Sequence, residues 1–235
     1  MIEATNLTKV YGRVTVLNIP QIKIKPGESF GLVGNNGAGK TTFFSLVLDL
    51  IQANSGTVTS NGVDVRQSDH WKEYTGSFLD ESFVIDFLTP EEYFEFVGSL
   101  LRKSRTETAA LLEPYRDFFN DEILGKKKYI RELSKGNQKK VGIVAALMTS
   151  PKVLVLDEPF PHLDPSSVIR LKKMLKELGS RGDVTMLISS HDLNHVTEVC
   201  DRIALLEKGT ILRDTPTTKS TIHELEEYFA SGIRE

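Results

Sequence analysis

The run Gly34-Asn35-Asn36-Gly37-Ala38-Gly39-Lys40-Thr41 restricts the possible folds of this chain more than any other stretch. An apolar run, residues 29–33, leads into it, and residues 41–51 behind it carry apolar side chains at helical spacing. Glycine tolerates backbone angles that turn successive N–H groups inward. A helix that starts directly afterwards adds its unpaired donors and its positive dipole end. The pattern G-x-x-x-x-G-K-[ST] in a strand–turn–helix setting is therefore a phosphate cradle. Backbone from Gly34 to Gly39, through Asn35, Asn36, Gly37 and Ala38, would wrap the phosphates of a nucleotide such as ATP. Lys40 would reach its β- and γ-phosphates, the Thr41 hydroxyl would ligate Mg²⁺, and Thr42 adds a contact at the helix start.

The rest of the chain supplies the sheet such a loop needs. Residues 22–24, 29–33, 153–156 and 184–189 read as strands, the last two so apolar that both faces must be buried. Residues 203–207 and 210–213 read as a closing pair around the turn Lys208-Gly209. Strands alternating with helices predict an α/β fold. In the middle, strand signals stop. Thr89-Pro90-Glu91-Glu92 is a helix start with a cap, a first-turn proline and a capping-box glutamate. Behind it Tyr93, Phe94, Phe96, Val97, Leu100 and Leu101 form a broad apolar face. The expected organisation is one domain over residues 1–235. Its α/β core covers 1–85 and 150–235, and a helical subdomain over 86–149 is inserted.

Residues 153–156 run into Asp157-Glu158-Pro159. Ligands of open α/β sheets gather at the carboxyl ends of the strands, which brings both carboxylates beside the phosphate loop. Asp157 is expected to support Mg²⁺, directly or through water. Glu158, projecting to the other side, is expected to polarise an attacking water.

Composition removes several alternatives. A net charge of -3 and a pI of about 6.0 lack the basic surplus of a nucleic-acid binder, and Lys126-Lys127-Lys128 reads as a solvated loop. No run approaches the roughly 18 apolar residues that span a bilayer, so any membrane path must come from other chains. The opening MIEATNLTKVYG has neither the basic nor the apolar region of a secretory signal. Cys200, the single cysteine, cannot form an intrachain disulfide and reads as a small buried hydrophobe in a reducing cytosol.

Leu133-Ser134-Lys135-Gly136-Asn137-Gln138-Lys139-Lys140, just upstream of the acidic strand, resembles the L-S-G-G-Q signature of the ABC ATPase family. Other segments fall in that family's order. Tyr11 follows Leu7-Thr8-Lys9-Val10, Leu163-Asp164 resembles the D-loop, and His191 follows Ser189-Ser190 at the position of the switch histidine. Residues 200–209 resemble the closing segment, so the likeness covers residues 1–215. It implies a P-loop NTPase core with an inserted helical subdomain and a small antiparallel β-subdomain. It also implies an ATP-hydrolysing subunit of an ABC transporter, with ATP and Mg²⁺ as its ligands. Tyr11 would stack on adenine and His191 would contact the γ-phosphate. Two subunits, identical or different, would close head-to-tail, so that Ser134 and Gly136 of one hold the γ-phosphate bound to the other. The implied partners are transmembrane permease subunits, which alone would fix the chain at the inner face of the cell membrane.

Three places depart from the family pattern. The Q-loop glutamine is missing. Aligning residues 75–79 puts Asp80 in its place with Glu81 adjacent, and a carboxylate there can still hold Mg²⁺ or water. Lys135 and Asn137 replace the first glycine and the glutamine of the signature, and Pro161 stands at the usual D-loop serine. The Ser-Lys-Gly variant and the acidic Q-loop resemble exporters, so export is the expected direction. The insertion is too short for the coiled coils of chromosome-maintenance relatives, and ribosome-acting relatives carry two cassettes. The remaining rival is a degenerate subunit that grips ATP without turnover, against which Glu158 and His191 argue.

Overall fold

A strand rich in apolar residues on both faces needs cover on both, and three of the runs in this chain are buried throughout. They are β3 (Ser29–Val33), β7 (Val153–Leu156) and β8 (Thr185–Ser190), and every residue in them is buried. In the computed structural model, which describes residues 1–218 and 220–225, they occupy the centre of a six-stranded sheet. The last ten residues of the expected single domain lie outside the described residues.

The sheet is completed by β6 (Thr75–Phe78), β9 (Arg202–Glu207) and β10 (Thr210–Pro216), in the order β10-β9-β3-β8-β7-β6. All neighbours are parallel except the β9–β10 hairpin. Alternate residues serve two cores. Phe30, Leu32, Val153, Val155 and Leu187 face one, and Val33, Leu154, Leu156, Met186 and Ile188 face the other.

The first core is closed by α1 (Lys40–Val47) and by a four-stranded antiparallel sheet. That sheet is built from β1 (Ile2–Tyr11), β2 (Val14–Ile24), β4 (Ser55–Ser60) and β5 (Val63–Asp64), ordered β2-β1-β4-β5. Helix α1 stops short of the expected residue 51. Asp49 takes a left-handed backbone (φ 49), and the Leu50 N–H turns back to the Ser45 carbonyl at 2.8 Å.

The second core is covered by helices. The expected start at Thr89 is present. Its hydroxyl and the Glu92 side chain form a capping box on α2 (Pro90–Leu100), and Ser104 with Glu107 repeats the device on α3 (Arg105–Leu112). The short α4 (Arg116–Phe119) follows, then α5 (Lys135–Met148), which is buried without a break from Lys139 to Met148. Two glycines let α5 lie on the sheet edge. A Cβ on Gly76 would sit 2.3 Å from the Ala146 carbonyl oxygen, and one on Gly142 would sit 2.3 Å from the Phe78 ring. Helices α6 (Pro165–Ser180) and α7 (Leu193–Thr197) complete the layer.

In the parallel register Val33 pairs with Ser190, Leu156 with Ile188, and Phe78 with Leu156. The carboxyl ends of β3, β6, β7 and β8 therefore open on one edge of the sheet.

Candidate nucleotide site

The phosphate loop leaves β3 at Gly34 and enters α1 at Lys40. Gly37 (φ 81) and Gly39 (φ 110) take backbone angles that other residues avoid. A Cβ on Gly34 would stand 2.2 Å from the Leu206 carbonyl oxygen, so the loop can lie against β9 only as glycine. Gly39 caps α1 without any side-chain acceptor, which leaves the first-turn N–H groups for an anion. Lys40 is almost fully buried. Its ammonium donates to the carbonyls of Gly34 at 2.6 Å and Asn35 at 3.2 Å, and so returns across its own loop.

Opposite the loop stand the two carboxylates that follow β7. Asp157 accepts hydrogen bonds from the Thr41 hydroxyl and from the Ser189 hydroxyl. Burial pushes its carboxyl above the usual aspartate range, against the pull of those two donors. Thr41 and Asp157 thus offer two hard oxygens side by side. That donor set suits Mg²⁺ once phosphate oxygens and water complete the shell. Among the described residues no cluster of three or more His, Cys, Asp or Glu forms a protein-only metal site.

Glu158 has a left-handed backbone (φ 45), rare for a long side chain. Its N–H donates to the Ser189 hydroxyl at 2.9 Å, and its carboxylate reaches in two directions. Oε1 lies 3.2 Å from the Lys40 ammonium, and Oε2 lies 2.9 Å from His191 Nδ1. Five residues expected from the sequence, Lys40, Thr41, Asp157, Glu158 and His191, therefore meet at one point. Ser189, whose hydroxyl joins the Asp157 carboxylate to the Glu158 main-chain N–H, was not anticipated. The signal was there, since a polar Ser189-Ser190 pair ends an otherwise apolar strand.

The family model for the ABC transporter matches residues 17–161. This chain belongs to the ATP-binding subunits of ABC transporters, a family of ATPases. It is 33% identical over 222 residues to an uncharacterised ABC transporter ATP-binding protein of Synechocystis, covering 90% of this chain and 62% of that one. It is 32% identical over 235 residues to the lantibiotic transport ATP-binding protein SrtF of Streptococcus pyogenes, covering 99% and 97%. Its fold matches a solved dimeric bacterial ABC transporter cassette with a TM-score of 0.81 at 24% identity, over 93% and 99% of the two chains.

The remaining positions of this ABC subunit stand apart from the cluster. Tyr11 ends β1 half-exposed, with the Lys9 ammonium 4.9 Å from its ring centroid. Its cross-strand neighbour Val14 is two residues from Val16, whose carbonyl borders Gly39. Ser134 caps α5 and accepts the Asn137 N–H at 3.2 Å. Gly136 lies against the D-loop, where a Cβ would sit 2.4 Å from the His162 carbonyl oxygen.

Asp80, expected among the metal ligands, accepts the Ser82 N–H at 2.6 Å and caps its own short turn at the exposed surface. The neighbouring Glu81 turns inward instead, 3.7 Å from the buried ammonium of Lys139.

Proposed function

We propose that two copies of this subunit, or this one and a similar chain, close over two ATP molecules and hydrolyse them to drive export through separate transmembrane subunits. The observation that carries this reading is the Glu158 carboxylate, held between the Lys40 ammonium and the His191 ring with Thr41 and Asp157 alongside. Backbone donors of residues 34–39 and Lys40 hold the phosphates, and Tyr11 stacks on adenine. Thr41 and Asp157 would hold Mg²⁺, which neutralises charge on the phosphate oxygens. Glu158 orients a water and takes its proton as the water oxygen bonds to the γ-phosphorus. The bond to the β-phosphate oxygen breaks, leaving ADP and inorganic phosphate. His191 supports Glu158 through Nδ1 and faces the γ-phosphoryl group.

Ser134 and Gly136 serve the partner subunit's nucleotide in this reading. The capped start of α5 turns unpaired N–H groups and a positive dipole end outward. Among the described residues no helix is long and apolar enough to cross a membrane. In this reading the transport path belongs to permease partners at the inner face of the membrane. A cleft of about 330 Å³ lined by Leu48, Leu50, Trp71, Leu79 and Phe83 is their seat, because Leu50 and Phe83 expose apolar surface there. Export of an antibiotic-like peptide is the cargo reading favoured by the likeness to the lantibiotic transport protein and by the Ser-Lys-Gly signature.

The test is Glu158→Gln. ATP binding should persist while turnover falls by about a hundredfold or more, because an amide accepts a proton poorly. A variant with full turnover would remove Glu158 from the base role.

A further inference from the structure

The inward turn of Glu81 and the second turn of α5 meet around one buried cation. Lys139 is 5% exposed, yet its ammonium makes two polar contacts. It donates to the main-chain carbonyl of Glu158 at 2.8 Å and lies 3.7 Å from Glu81 Oε1. An ammonium in such a place is costly unless paired and hydrogen-bonded, and a methionine of similar volume would pack there without that cost. Burial works against the charge on Lys139 and lowers its pKa, and the carboxylates of Glu81 and Glu158 offset this only in part.

The atom it grips is the informative one. A glutamate at φ 45 keeps that conformation only when its surroundings hold it. Ser189 accepts the N–H of Glu158, and Lys139 takes its carbonyl. The residue is thus held on both of its peptide groups, while its side chain is left to reach Lys40 and His191.

We propose that Lys139 is a positioning residue for Glu158. Its ammonium holds the Glu158 carbonyl so that the left-handed turn after β7 aims the carboxylate between Lys40 and His191, and Glu81 is its buried counter-ion. Glu81, the acid next to the place where the family's glutamine is missing, therefore has a partner of its own inside the same chain. The inference rests on Glu158 being the base of hydrolysis.

Lys139→Met keeps the unbranched stem of the side chain and removes the donor. Steady-state ATPase of the full chain, with binding of a fluorescent ATP analogue measured beside it, reads the effect. A displacement of about 1 Å in a catalytic group costs up to about a hundredfold, so kcat should fall by about tenfold to a hundredfold. Analogue affinity should stay within about threefold, because the loop of residues 34–41 is untouched. Glu81→Gln/Lys139→Met removes both buried charges and should be as slow as Lys139→Met. It also decides the matter if Lys139→Met alone fails to fold. A kcat loss under about fivefold in the folded variant, or a loss of affinity in step with kcat, overturns the proposal. Glu158→Gln separates the two readings. If it is inactive while Lys139→Met is fast, only the positioning role falls, and if it is active the hydrolytic reading itself falls.

Discussion

Gly136→Ala tests the close approach of the signature segment to the D-loop, because two simple effects predict opposite signs. Gly136 lies in the first turn of α5, where alanine favours the helix by up to about 1 kcal/mol over glycine. The structure opposes that gain. The added Cβ would stand 2.4 Å from the His162 carbonyl oxygen, and real Cβ contacts essentially never fall under 3.0 Å. The obstacle is backbone, at a residue already held at φ 69, so it cannot swing aside as a side chain would. Overpacking of this kind costs about 1–3 kcal/mol, so a net loss of up to about 2 kcal/mol remains after the helix gain. With the urea slope usual for a chain of this size, that lowers the unfolding midpoint by roughly 0.5 M. Gly179→Ala is the control. A Cβ there would meet the Ser29 hydroxyl at 2.7 Å and the Met186 methyl at 3.0 Å, side-chain ends rather than backbone, and its midpoint should fall less than that of Gly136→Ala. A Gly136→Ala midpoint above that of the parent chain would refute the reasoning, since it would mean that helix preference alone governs the position.

Lys40→Ala should lose most MgATP affinity in a fluorescent-analogue titration, because the loop loses its one formal cation. An unchanged affinity would move the nucleotide site elsewhere. Asp164 caps α6 and pairs with Lys140, which is 1% exposed. Hydrogen bonds from Ser166 and Ser167, with Lys140 adding to them, hold its carboxyl well below the ordinary aspartate range. A depressed carboxylate stabilises the fold fully above the ordinary value and loses that contribution as pH falls through the depressed one. Asp164→Asn should therefore cost about 1–2 kcal/mol near pH 7, discounted because Asp164 is half-exposed, and the gap should narrow below about pH 4. Equal gaps in urea unfolding at pH 7 and pH 3 would exclude an ionic role. Cysteines placed at Ser134 and Asn36 should crosslink different subunits only when ATP is bound. The native Cys200 will not interfere, since it is buried and its thiol is pushed far up by desolvation. Crosslinks within one chain would overturn the shared site.

The sequence was most legible where a motif carries its own mechanics. The phosphate loop, the acidic end of β7 and the Thr89 capping box needed no tertiary information, because spacing along the chain fixes what each can do. His191 was found through resemblance and stands within reach of Glu158, as the parallel register of β7 and β8 requires. The early end of α1 was hidden, because the apolar spacing continues past the left-handed residue Asp49. The inward acid beside Asp80 was hidden for a related reason. Alignment offers two adjacent acids, and only the turn that Asp80 caps decides which of them faces inward. Lys139 was out of reach altogether, since a lysine in a charged helical run reads as solvated until the sheet edge is seen to cover it.

The pair of glycines that lets α5 rest on β6 also sets where this protein can be cut and rejoined. Half of that contact, Gly142 and the Ala146 carbonyl, belongs to the helix; the other half, Gly76 and the Phe78 ring, belongs to the strand. A graft that carries residues 86–149 from one relative into another would split this matched surface and set a foreign helix on a sheet not shaped for it. One that ends before Leu133 would carry α2 to α4 across and leave α5 on its own strand. The natural unit of exchange in this chain is therefore shorter than its run of helices.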